Sequence, residues 1–95
     1  MTETSELVEE LANSLEQDLL QTFGPMIYGQ VLYKSLGYTS ADAFRQAISR
    51  QSVPVDTFPI EGRRGKFALT RDIAKWIAIQ KIENTQPLKK EVDDM

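Results

Sequence analysis

Arg45, Gln46, Ser49 and Arg50 lie within the stretch Thr39-Ser40-Ala41-Asp42-Ala43-Phe44-Arg45-Gln46-Ala47-Ile48-Ser49-Arg50. Wound at about 3.6 residues per turn, Asp42, Arg45, Gln46 and Ser49, flanked by Arg50, fall on one side. Ala41, Phe44, Ala47 and Ile48 fall on the other, with Ala43 at the edge. A guanidinium offers a donor fork that matches O6 and N7 of guanine, and a carboxamide pairs with N6 and N7 of adenine. Each such pair is worth roughly 1–3 kcal/mol of discrimination against a wrong base. Ser40 and Ser49 add hydroxyls that suit base edges or phosphates. A second cationic set follows in Glu61-Gly62-Arg63-Arg64-Gly65-Lys66. Arg63, Arg64 and Lys66 sit at a glycine-bracketed turn with no core to join. A solvated turn is the common fate of such a cluster, but its place after a helical pair favours phosphate or minor-groove contact.

Other chemistries are poorly served. The chain has no Cys and no His, so thiolate nucleophiles, disulfides, zinc-finger ligation and imidazole acid–base catalysis are all excluded. Ser40, Ser49 and Ser52 have no convincing base, and Gly62 and Gly65 do not form a Walker-type loop. The expectation is a binding protein without catalytic residues, cofactor or metal. The lack of cysteine fits a reducing cytoplasm, nucleoid-associated when DNA is bound. No apolar run approaches membrane-spanning length, and the acidic N-terminus is unlike a signal peptide.

The 95 residues fit one small domain. Its net charge of −3 runs against polyanion binding only as an average. Residues 1–25 carry six acidic side chains and no basic one. Residues 26–82 carry nine basic and four acidic, and residues 83–95 two basic and four acidic. A basic middle is thus flanked by acidic ends.

The elements that would position these groups can be read in order. Residues 5–23 carry an apolar stripe, Leu7, Val8, Leu11, Ala12, Leu15, Leu19 and Phe23, opposite Glu6, Glu9, Glu10 and Glu16, which predicts an amphipathic helix ended by Gly24-Pro25. The stripe either packs on the domain or forms a dimer seam; the lack of a sustained heptad repeat favours packing. Met26 to Leu36 reads as a second helix, with Val31, Leu32 and Leu36 inward and Gly37 at its C′ position. Thr39, three residues before Asp42, reads as a capping-box-like start for the next helix. Gly37-Tyr38-Thr39 joins the two as a helix-turn-helix. Thr57–Ile60 and Lys66–Leu69 alternate as short strands, with Pro59 implying an edge, and Gly62 and Gly65 supply the positive φ values of a hairpin between them. A last helix runs from Thr70 or Arg71 to about Ile82. Ile73, Ala74, Trp76 and Ile77 form its core face, while Ile79 and Ile82 form a second apolar face that should receive the N-terminal helix, from this chain or a partner. The expected class is mainly α with a small β-hairpin.

The order helix, turn, helix, hairpin, helix from Gly29 to Ile79 resembles the winged-helix domains of excisionases and AlpA-like regulators of phage or mobile-element origin, related in fold to MerR-type regulators. The likeness is carried by Leu32-Tyr33-Lys34-Ser35-Leu36-Gly37-Tyr38, by Ser40 to Arg50, by Val53-Pro54, by Arg63-Arg64-Gly65-Lys66, and by Leu69 to Ile77 with Trp76. It implies a winged helix-turn-helix over 26–82, to which the acidic helix 1–25, for packing or dimerisation, is an addition. The polar tail 83–95 is expected to fray or be disordered. It further implies double-stranded DNA as partner: Ser40, Arg45, Gln46, Ser49 and Arg50 would enter the major groove, while Arg63, Arg64 and Lys66 would touch the backbone or minor groove. Asp42 and the acidic helix depart from the pattern. Residues 5–23 would pair with a second copy or with an integrase or polymerase. A protein-interaction module working through this helix is the competing reading.

Overall fold

The computed structural model describes residues 2–84. Their elements are α1 (Thr2–Phe23), β1 (Met26–Tyr28), α2 (Gly29–Ser35), α3 (Ala41–Arg50), β2 (Phe67–Leu69) and α4 (Thr70–Glu83). The protein is therefore mainly helical with a small two-stranded antiparallel sheet.

α1 packs along α4, the most extensive contact between any two elements. The second apolar face of α4 is thereby covered within the chain. Val8 is buried, and Leu11, Ala12, Leu15 and Leu19 are half-buried, as are Ile79 and Ile82 across from them. The stripe is shorter than the pattern predicts. Leu7 stays 51% exposed and Phe23 41% exposed.

Thr70 ties this helix pair to the sheet. It is fully buried. Its Oγ1 donates to the Gly24 carbonyl at 2.6 Å, and its backbone N–H donates to the Pro25 carbonyl at 2.8 Å. A buried hydroxyl needs such a partner, since leaving it unmade costs about 1–3 kcal/mol. One residue therefore ends β2, starts α4 and fastens the turn that ends α1.

Residues 26–28 are a correction to the single helix expected over Met26 to Leu36. They form β1, pairing antiparallel with β2 in the register Met26↔Leu69, Ile27↔Ala68 and Tyr28↔Phe67. Alternation explains why. Ile27 points into the core at 1% exposure while Tyr28 points out at 62%, a period of two that a helix would not give. Gly29, at φ +65°, turns the chain from strand into α2. Val31 is another departure, 37% exposed against the inward position its spacing predicts; Leu32 and Leu36 are buried as expected. The core gathers Ile27, Leu32, Leu36, Ala68 and Ile73, with Leu19, Trp76 and Ile77 packed against it.

The strand expected over Thr57–Ile60 is largely absent. Residues 57–60 contribute one bridge, Phe58↔Phe67, with reciprocal backbone hydrogen bonds of 2.9 Å. Pro59 has no N–H to continue the ladder, and the other edge of β2 is taken by β1. The 61–66 segment is thus a loop held by one bridge at its base. Gly62 at φ +78° and Gly65 at +83° adopt the left-handed values expected of them.

Candidate nucleic-acid interface

α3 is set on the domain by its apolar side. Ala47 is buried, and the Phe44 ring meets Tyr33 of α2 at 6.2 Å and Tyr38 of the connecting turn at 5.7 Å between centroids. Among the described elements, α2 is the one that α3 touches most, and that contact is small. Both helices end alike. The Tyr38 N–H reaches back to Tyr33 O and Gly37 N–H to Lys34 O; Ser52 N–H reaches Ala47 O and Gln51 N–H reaches Ile48 O, at 2.9–3.0 Å. This is the Schellman pattern. Gly37 fills the left-handed position of the first, at φ +93°, and Gln51 that of the second, at φ +58°.

The start of α3 differs from expectation by one residue. Ser40, not Thr39, is the N-cap, and its Oγ accepts from the Ala43 N–H at 3.1 Å. An extended Ser40 places its hydroxyl over the first turn, where bare N–H groups need an acceptor. The Ser40 hydroxyl expected at DNA therefore has a structural partner.

Arg45, Gln46, Ser49 and Arg50 line one shallow depression of about 280 Å³ on the outer side of α3, together with Asp42. Arg45 and Ser49 also line a larger cleft of about 560 Å³ between α3 and the 61–66 loop, where they meet Arg64 and Lys66. The two cavities share residues, so the helix cations and the loop cations belong to one continuous surface. Arg63 is exposed but lines neither cavity; its N–H closes a turn on the Ile60 carbonyl at 2.9 Å.

Among the described residues, Asp42 and Arg45 make the only ion pair, one helical turn apart. Arg63, Arg64 and Lys66 have no carboxylate partner there. The pairing of Arg45 bears directly on the expected role of that residue, since its fork is shared with an acid. Both side chains remain largely solvated, and such pairs are worth about 0–1 kcal/mol. A stronger acceptor can therefore recruit the guanidinium.

Tyr28, Tyr33 and Gln30 also line the cleft, and sequence reasoning did not place them there. The signal was present in Tyr28, a large aromatic next to a buried Ile27, but it was hidden by the helical assignment of residues 26–28.

No group of three metal-binding side chains occurs among the described residues, and no described helix is long and apolar enough to cross a membrane. No family model matches the chain, and no curated protein or solved structure shows significant similarity to it.

Proposed function

We infer that this protein binds double-stranded DNA as a winged helix-turn-helix, in the manner of a recombination directionality factor or a small transcriptional regulator. α2 and α3 are the helix-turn-helix and the 61–66 loop is the wing. α3 offers Arg45, Gln46, Ser49 and Arg50 to base edges in the major groove. Arg63, Arg64 and Lys66 follow the phosphates or the adjacent minor groove. Ser40 acts through its cap, orienting α3. The observation that carries this reading is the continuous surface on which Arg45 and Ser49 of α3 meet Arg64 and Lys66 of the loop.

Selection of bound fragments from a random duplex pool, followed by mobility shift at several salt concentrations, tests it. A recovered motif, with binding that weakens steeply as salt rises, is the expected result. Absence of binding at low salt removes the reading.

The competing reading, a partner-binding regulator, is favoured by α1. Its Glu6, Glu9 and Glu10 are exposed beside the exposed Leu7, a surface suited to a basic, partly apolar groove or to a second copy. Sedimentation of the full chain checks the second-copy form of it. A monomer at high concentration discards self-association through this helix.

A further inference from the structure

The cleft between α3 and the 61–66 loop is chemically two-layered. Tyr28, Tyr33, Phe44 and Ile48 form an apolar, mostly aromatic lining. Arg45, Arg64 and Lys66 stand in the same wall. Among the described residues no carboxylate lines the cleft, although the chain as a whole is acidic. A phosphate track alone needs cations and hydrogen-bond donors, and an aromatic floor adds nothing to it. Aromatic faces beside cations are instead what an unpaired base with its flanking phosphates requires: the ring stacks and the phosphates are neutralised.

Tyr28 is the ring best placed for this. It sits on the outward side of β1 and is 62% exposed. It rests on Phe67, with centroids 5.1 Å apart and planes inclined by 38°. Phe67 is itself buried and stacked on Phe58 at 6.4 Å. The Tyr28 ring is therefore propped from behind by two further rings while much of it faces solvent. Tyr33 and Phe44, by contrast, are already engaged with each other.

We propose that this cleft binds one unpaired nucleotide of the DNA, its base stacked on Tyr28 and its flanking phosphates held by Arg64 and Lys66. The inference rests on the DNA-binding reading above and adds a ligand state to it. The protein prefers a duplex with an extruded or bulged nucleotide over a fully paired one, since the unstacking that costs a few kcal/mol in the paired duplex is already done.

The test uses a short fluorescein-labelled duplex of the selected sequence and the same duplex with a single bulged 2-aminopurine placed in turn along the site. Anisotropy gives the affinities, and 2-aminopurine emission reports stacking. The expected result is that the full chain binds one bulged duplex about fivefold or more tighter than the paired one and quenches the 2-aminopurine. Tyr28→Leu should abolish the excess affinity and the quenching, whereas Tyr28→Phe, which keeps the ring and loses the hydroxyl, should retain both. Equal affinity for paired and bulged duplexes overturns the inference while leaving duplex binding intact. Loss in Tyr28→Phe equal to that in Tyr28→Leu overturns it also, since the hydroxyl and not the ring face would then be at work. If no duplex binds at all, the DNA reading fails and the inference with it.

Discussion

The Arg45 guanidinium donates to the Asp42 carboxylate one turn earlier on α3, with the two side chains 70% and 78% exposed. An exposed pair of this kind is easily broken, but it aims the fork. A carboxylate taking one N–H leaves the other donors of the guanidinium for a second acceptor. Asp42 also places a negative charge on the surface proposed to meet DNA. These two effects have opposite signs. Asp42→Ala should tighten binding to arbitrary duplexes by about two- to fivefold, the scale of one surface charge, while lowering discrimination at the base that Arg45 reads. Arg45→Ala should lose discrimination there by about 1–3 kcal/mol. Competition binding with single-base variants of the selected site measures both.

Arg63 and Arg64 answer to a different measurement. Neither has a carboxylate partner among the described residues, and both ride on a loop closed by a single bridge. Their contribution should be through charge and not sequence. Arg63→Ala with Arg64→Ala is expected to weaken all duplexes alike. The log–log salt slope should become shallower by about 1–2, at about 0.9 for each phosphate no longer neutralised. An unchanged slope in a titration across salt would take the loop out of the interface.

Gln51 offers a test of the fold independent of any ligand. It holds a left-handed φ of +58° at the end of α3, a conformation that costs an ordinary residue about 1–2 kcal/mol. Gln51→Gly removes that cost and gives back part of it as unfolded-chain entropy. A net gain of about 0.5–1 kcal/mol in chemical denaturation is expected, the part of that cost left after the entropy is subtracted. Ser40→Ala, by contrast, should lose about 1 kcal/mol with its N-cap bond.

Thr70→Val keeps the shape of the side chain and deletes the donor to Gly24. The half-buried Gly24 carbonyl then loses its partner, and a loss of about 0.5–1.5 kcal/mol is expected, read as a lower denaturant midpoint at unchanged slope. Thr70→Ser retains the hydroxyl and should recover most of the loss.

Much of the helical plan was legible because it rests on short-range signals. The apolar stripe of residues 5–23, Gly37 after Leu36 and the Ile73/Ala74 face each follow from spacing or local chemistry. The sheet was not legible. Its two strands are only three residues each, and they are separated by the whole helical pair. Met26-Ile27-Tyr28 meets Phe67-Ala68-Leu69 because of tertiary packing, and nothing in either tripeptide names its partner. Phe58 shows the same limit from the other side. Its local alternation with Lys66–Leu69 is real, but β2 is only three residues long, and Pro59 stops the ladder after one bridge. For the site, the cations were visible as charge patterns, while the cleft wall was not, since Tyr28 belongs to it only once residues 26–28 become a strand. The tail beyond Asn84, expected to fray, lies outside the described residues.

The Thr70 clasp has a consequence for the order in which the molecule comes apart. Because one buried residue anchors the end of the first helix, the sheet and the start of the last helix, these parts must melt together. α3 is linked mainly through its ring cluster with α2. Leu32 and Leu36 hold α2 in the core, so transient opening at temperatures well below global melting should begin in α3, which swings on its ring contacts while the rest of the fold stays closed.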